Sequence, residues 1–429
     1  MDTIFAPATV VGRAGVSVVR ISGPHAHAGA MQLCGTLPPP RSTALRKIRT
    51  RAGELIDVGL VLYFECGGSF TGEDVVEFQL HGSVAVVNAV LQELEAIDGF
   101  RMAEPGEFTR RALENECLDL AQVEGLADLI DSETEIQRRQ ALRAFSGEMR
   151  EKSGNWRWRL IRAMSLLEVT IDFSDEDVPD SVEGEVRELC HTVLTELRAE
   201  LDESHTAERI REGFEVAIVG RPNVGKSTLL NSLAGREAAI TSEHEGTTRD
   251  IIEVRMDLDG LPVTFLDTAG MREAVDPVER IGVARSMSRV EDSDLRVFLV
   301  EEFDEVSALF LRDNDIVVRG KADLYGEREG AVSGVTGEGV KDLLTRITEV
   351  LSQRCAGAGV VTRERHRRSL RSAIGALQRL IDGIDEEGAA AEKLVEELRF
   401  AVSSLDVLVG KIDVEAVLDD IFSGFCIGK

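Results

Sequence analysis

The segment Gly220-Arg221-Pro222-Asn223-Val224-Gly225-Lys226-Ser227-Thr228 constrains this 429-residue chain more than any other feature. It fits G-x-x-x-x-G-K-[ST] and follows the apolar run Val216-Ala217-Ile218-Val219. The combination reads as a buried parallel strand, a glycine loop and a helix start. Backbone N–H groups from Val224, Gly225 and Thr228, together with the helix N-terminus, would then face phosphate oxygens. Lys226 reaches the terminal phosphates and the Ser227 hydroxyl ligates Mg²⁺. Three further motifs follow in working order as far as Ser333, and that order excludes coincidence.

The second motif, Glu245-Gly246-Thr247-Thr248-Arg249-Asp250, has the hydroxyls a switch loop needs, with Thr248 as the second Mg²⁺ ligand. Arg249 and Asp250 close it and stand among the catalytic candidates. The third, Asp267-Thr268-Ala269-Gly270, follows the strand Val263-Thr264-Phe265-Leu266. Asp267 acts behind the Mg²⁺ ligands and the Gly270 N–H bonds the γ-phosphate. Between these two motifs, Asp259-Gly260 flanked by apolar alternation predicts a tight hairpin, as in a Ras-like domain with GTP as substrate. The fourth motif is altered: Gly320-Lys321-Ala322-Asp323 stands where Asn-Lys-x-Asp is usual. Asp323 still accepts the two hydrogen bonds that distinguish guanine from adenine. Gly320 lacks an amide, so restoring Asn is expected to tighten GDP binding by up to about tenfold. Ser333-Gly334 supplies the fifth element by position.

Met271 follows the third motif where Ras-type enzymes carry a glutamine that orients water. Another group must place the water, and Glu279 is the carboxylate in the same switch region. Asn223 offers a neutral oxygen where a K⁺ ion would take the place of an arginine finger.

The length allows roughly three domains. No apolar run is long enough to span a membrane and no secretory start is seen, so a cytoplasmic protein without membrane contact is expected. The six cysteines show no C-x-x-C spacing and read as free thiols. A net charge of −28 argues against a nucleic-acid coat protein. It leaves room for local basic clusters at Arg138, Arg139 and Arg143 and at Arg363, Arg365, Arg367 and Arg368, read as solvated helix faces ahead of RNA contacts.

Residues 1–117 alternate short β-type runs with glycines, with one helical segment from Ala85 to Ile97, and predict a compact α+β domain. Helical spacing dominates 118–213, with one helix running from Val186 to about Leu201. Helical periodicity returns within 356–429, which makes a discontinuous helical domain with the Ras-like α/β P-loop GTPase domain, 214–355, inserted into it.

Further motifs extend over essentially the whole chain. They are Asp2-Thr3-Ile4, Gly12-Arg13-Ala14-Gly15-Val16, Arg20-Ile21-Ser22-Gly23, Phe70-Thr71-Gly72-Glu73-Asp74, Pro105-Gly106-Glu107-Phe108-Thr109, Leu118-Asp119-Leu120-Ala121-Gln122, Glu279-Arg280-Ile281-Gly282 and Phe425-Cys426-Ile427-Gly428-Lys429. With them the chain resembles the tRNA-modifying GTPase family MnmE, also called TrmE. The resemblance implies a homodimer whose N-terminal domains bind 5-formyl- or 5,10-methylene-tetrahydrofolate. It also implies an FAD-dependent partner (the MnmG or GidA family) and installation of a carboxymethylaminomethyl-type group at carbon-5 of the wobble uridine of certain tRNAs. Matched by position, folate contacts fall on Arg20, Glu77 and Lys429, with Cys117 at a position that is usually basic. The K⁺ site falls on Asn223, Ser242, His244 and Thr247. Cys426, flanked by Phe425 and Ile427, becomes a candidate for the modification step. A ribosome-assembly GTPase and a folate enzyme with a vestigial GTPase domain are the competing readings. The first lacks a recognisable RNA-binding appendage, and the second is disfavoured by intact Lys226, Ser227, Thr248 and Asp267.

Overall fold

The structure, a computed structural model, describes residues 2–172, 181–236, 238–240, 253–267, 289–302, 311–325, 330–355, 357–385 and 391–410, with 418, 421, 422, 425 and 428. It divides into two compact units, one of Met1–Ala127 with Asp406–Lys429 and one of Asp128–Leu405.

The first unit is built on a six-stranded sheet in the order β3-β4-β5-β2-β1-β6. The strands are β1 (Thr3–Pro7), β2 (Ala14–Ser22), β3 (Thr43–Arg49), β4 (Leu55–Phe64), β5 (Val75–Gly82) and β6 (Phe100–Met102). Only the β1–β6 pairing is parallel. Successive side chains of a strand point to opposite faces. Phe5, Val19, Ile21, Val76 and Phe78 therefore share a core with Ala30 and Leu33 of α1 (Ala26–Cys34) and Val90 and Leu94 of α2 (Val84–Glu95). Ile4 and Ala6 alternate to the other face, against Ala103 and against Phe108 of α3 (Glu107–Glu114). Arg20 and Glu77, directly opposed across β2 and β5, fall out of phase with the first core. Register alone thus puts a charged pair on the sheet face away from α1 and α2. Phe422 and Phe425 pack with Val123 in a separate apolar cluster of this unit.

After α4 (Leu120–Asp131) in the chain, the helices α5 (Glu135–Phe145), α6 (Glu148–Asp172) and α7 (Ser181–Glu212) of the second unit are joined by Glu364–Asp385. Buried residues recur at helical spacing: Trp156, Leu160, Ala163 and Leu167 in α6, Val186, Cys190, Val193 and Leu197 in α7, Leu370, Ala373, Leu377 and Leu380 in the last. The α7 helix outruns its expected span at both ends. Its buried stripe continues beyond Leu201 through Ser204, Ala207 and Ile210, and polar Ser204 hides the period from a hydropathy reading. Lys152 pairs with Glu200, and Ser204 Oγ donates to the Leu201 carbonyl at 2.6 Å.

Gly213, with φ of 93°, turns α7 into a five-stranded sheet of order β11-β10-β7-β9-β8. These strands are β7 (Phe214–Gly220), β8 (Glu253–Leu258), β9 (Leu261–Asp267), β10 (Leu295–Val300) and β11 (Ile316–Arg319), parallel except for β8. The expected hairpin joins β8 to β9, with Asp259 and Gly260 at φ of 51° and 91° as a two-residue primed turn requires. Its tip lies against α5: a Cβ on Gly260 would be 3.7 Å from Ile136 Cγ1.

The basic clusters are absorbed by carboxylates. Arg363 donates to Asp128 at 2.7 Å, while Arg367, almost fully buried, donates to Glu208 and Glu364 at 2.7 Å each. Arg138 and Arg139 both pair with Glu135, and Arg143 pairs with Glu148. Arg143, Arg363 and Arg367 thus tie separate segments together, while Arg138, Arg139 and Arg368 stay exposed and pair with a carboxylate of their own helix, as on a solvated helix face.

Candidate functional site

The β7 strand ends at Gly220, and α8 (Lys226–Ala234) begins six residues later. Asn223 and Gly225 take φ of 65° and 112°, the left-handed values that curl the intervening loop. Exposed Asn223 sits at the crest, and buried Val224 anchors the loop from below. Lys226 folds back under the loop, its Nζ donating to the carbonyls of Gly220 at 2.7 Å and Arg221 at 2.9 Å. Burial lowers the affinity of this ammonium for its proton, and the Asp267 carboxylate works in the opposite direction. The next residue, Ser227, donates from Oγ to Asp267 Oδ2 at 2.9 Å. Asp267 ends β9, and pairing with β7 at Ile218 brings it there. A hydroxyl from the first turn of α8 and a carboxylate from the end of β9 thus form a hard oxygen pair of the kind Mg²⁺ selects.

Opposite the glycine loop, Asp323 lies in the first turn of the short helix Ala322–Tyr325. Ser333 Oγ donates to Asp323 Oδ1 at 2.6 Å and accepts from the N–H groups of Val335 and Thr336 at 3.2 Å each. Position alone suggested Ser333; its part in aiming the Asp323 carboxylate appears only in the fold. Lys321, with φ of 59°, donates to Glu301 Oε1 at 3.0 Å. Glu301 had no sequence motif to reveal it. Gly334 packs on the first turn of α8, where an added Cβ would meet the Leu229 nitrogen at 2.6 Å. The residues Asn223, Val224, Gly225, Lys226, Ser227, Thr228, Asp267, Lys321, Asp323 and Ser333 therefore surround one end of the parallel strands. Ser242, His244, Glu245, Gly246, Thr247, Thr248, Arg249, Asp250, Thr268, Ala269, Gly270 and Glu279 lie outside the described residues.

In the first unit, Arg20 Nε donates to Glu77 Oε1 at 2.8 Å. The guanidinium lies 5.8 Å from the Phe70 ring centroid and 5.6 Å from that of Phe108, and donates to the Gly428 carbonyl at 3.4 Å. Exposed Cys117 touches the segment that carries Phe70: a Cβ on Gly72 would be 2.9 Å from its Sγ. Phe70 and Phe108 were visible only as parts of longer motifs, since stacking on Arg20 depends on the sheet register. Cys426 and Lys429 lie outside the described residues. Gly428, two residues beyond Cys426, packs on the carbonyl of Pro7, where a Cβ would be 1.9 Å away. Elsewhere, burial raises the pKa of Cys34 and Cys355 to about 11 and that of Cys190 to about 12.

A parallel sheet with one antiparallel edge, a lysine-bearing phosphate loop after its central strand and a Ser–Asp pair joining the start of α8 to the end of β9 define a P-loop GTPase, carried here within a multidomain chain. The family model "GTP-binding protein TrmE N-terminus" matches residues 3–117, and "MnmE helical domain" matches 120–426. The chain is 56% identical over 431 residues to the tRNA modification GTPase MnmE of Dinoroseobacter shibae, with 100% of both chains covered. The same name and full coverage apply to relatives in Cereibacter sphaeroides, 56% identical, and Roseobacter denitrificans, 54% identical. The chain belongs to the MnmE family.

Proposed function

We propose that this protein is a K⁺-stimulated GTPase that acts with an FAD-dependent partner to add a carboxymethylaminomethyl-type group to carbon-5 of the wobble uridine in certain tRNAs. The observation that carries the proposal is full-length identity above half to relatives named for tRNA modification, joined to the Lys226, Ser227 and Asp267 geometry. The domain reading assigns folate binding and dimerisation to 1–117, a discontinuous helical domain to 118–213 and 356–429, and GTP hydrolysis to 214–355. A cytoplasmic homodimer fits this reading, and no helix among the described residues is long and apolar enough to cross a membrane.

In hydrolysis, the backbone of residues 223–228 and the Lys226 ammonium hold the β- and γ-phosphates in line with the attacking water. Asp323 and Ser333 hold the guanine. Ser227 and Thr248 would bind Mg²⁺, with Asp267 orienting its shell; the ion would offset charge on the phosphate oxygens. Asn223, Ser242, the His244 backbone and Thr247 would hold K⁺, supplying positive charge on the same side. Glu279 orients water in place of the glutamine that Met271 replaces, and Arg249 and Asp250 complete the switch.

In the N-terminal part, Arg20, Glu77, Cys117 and Lys429 would hold the tetrahydrofolate, which supplies the one-carbon unit when bound. The fit rests on donor chemistry. Arg20 offers a guanidinium held between two aromatic rings, and Glu77 fixes its direction. Cys426 would follow, with Gly428, the segment that docks beside Arg20.

The test is GTP turnover of the parent and of Asn223→Ala in KCl against NaCl. The parent is expected to be faster in KCl and the variant to lose that difference. Equal turnover of the parent in both salts would remove the K⁺ assignment.

A further inference from the structure

The usual base-loop asparagine is replaced by Gly320, and its absence first reads as a lost amide contact. The geometry gives a different account. A Cβ on Gly320 would lie 2.5 Å from the carbonyl oxygen of Val224 in the phosphate loop, closer than any real Cβ contact. Its next neighbours would be Val224 Cγ2 at 3.5 Å and Leu299 Cδ2 at 3.6 Å, so the position is enclosed. Val224 itself is held on its other side by Gly220, where an added Cβ would meet Val224 Cγ1 at 3.0 Å and the Leu299 carbonyl at 2.4 Å. The second base loop repeats the arrangement, with Gly334 pressed on the backbone of Thr228 and Leu229. Neither contact can relax by a rotamer change, because the atoms met are main-chain atoms of the segment that cradles phosphate.

The Gly320 loop is tied without a side chain of its own. Gly320 N–H donates to the Val300 carbonyl at 2.9 Å, and Ala322 N–H to the Val332 carbonyl at 3.1 Å. Arg319 donates to the Glu301 carbonyl at 2.7 Å, and Lys321 pairs with Glu301.

We infer that Gly320 is an affinity-determining residue of the nucleotide site, because only a residue without a Cβ lets the base loop seat directly on the Val224 carbonyl. The base and phosphate halves of the site are then one packed body, and a side chain at position 320 pushes them apart. This rests on the reading of Asp323 as the guanine-recognising residue, which GDP binding by the parent protein tests separately.

The experiment is calorimetric titration of GDP with Mg²⁺ into the full chain for the parent, Gly320→Ala, Gly320→Asn and Gly334→Ala, with thermal melting of each. Overpacking against main chain is expected to weaken GDP binding about tenfold in Gly320→Ala, with Gly320→Asn no better and Gly334→Ala affected in the same direction. A Gly320→Ala chain that fails to fold supports the same steric claim, since a Cβ in open space would be neutral, and Gly334→Ala then carries the binding comparison. Tighter GDP binding by Gly320→Asn, or unchanged binding by Gly320→Ala, overturns the inference and restores the lost-amide account.

Discussion

Replacing Asp323 by Asn isolates guanine recognition from every other part of the site. One carboxylate oxygen accepts from Ser333 Oγ at 2.6 Å, and an asparagine oxygen can take that bond, so the loop is expected to keep its shape. Guanine presents two donors, N1–H and the exocyclic amine, to a carboxylate. Asparagine keeps one acceptor and turns an NH₂ toward the other donor. A hydrogen bond to a charged group contributes about 1.5–3 kcal/mol, and facing donor against donor adds a desolvation cost of about 1–3 kcal/mol. The loss is therefore about 2.5–6 kcal/mol, on the order of a hundredfold or more in GDP affinity. Xanthine carries a carbonyl in place of the exocyclic amine and suits the asparagine NH₂. Calorimetry with GDP and XDP on the parent and Asp323→Asn, alongside melting curves, reads both halves. The expected outcome is a reversal of preference at unchanged melting temperature. GDP affinity within threefold of the parent would refute the assignment of Asp323.

Two further outcomes are expected. Cys426→Ser should keep GTP turnover and melting temperature close to those of the parent while abolishing tRNA modification; full modification, or a large loss of stability, would return Cys426 to a structural role. Acid should destabilise the first unit through Asp2 and Glu107. The Arg101 guanidinium holds Asp2 below the usual carboxylate range; at Glu107, burial pushes upward but is outweighed by hydrogen bonds from Arg101 and Arg111. Depressed acids contribute stability above their unfolded pKa of about 4 and lose it as pH falls through the folded value. Melting temperature should thus drop steeply below about pH 4, and Glu107→Gln should be less stable at neutral pH with a shallower acid slope. Parallel curves for parent and variant would contradict this.

What the sequence made legible was local. The glycine loop was readable because Gly225, Lys226 and Ser227 act through backbone geometry and adjacent positions. The β8–β9 hairpin was readable from Asp259-Gly260 for the same reason. Contacts between distant segments were not. The Arg367 cluster looked like a basic face because its partner Glu208 lies in another helix, and Arg20 showed no sign of its aromatic neighbours until β2 was registered on β5. Helix α7 was cut short in the reading because buried Ser204, whose hydroxyl donates to the Leu201 carbonyl, interrupts the apolar period beyond Leu201. Gly320 was legible as a departure and illegible as a contact, since Val224 lies about a hundred residues away.

The most direct test of the central claim is mass spectrometry of tRNA nucleosides from a strain lacking this gene, complemented with the parent chain or with Lys226→Ala. Lys226 is nearly buried and spans two loop carbonyls, so its loss removes phosphate binding at the heart of the loop. The account predicts that the carboxymethylaminomethyl-type wobble uridine disappears on deletion, returns with the parent and stays absent with the variant. An unchanged nucleoside profile on deletion, or full restoration by Lys226→Ala, would contradict it.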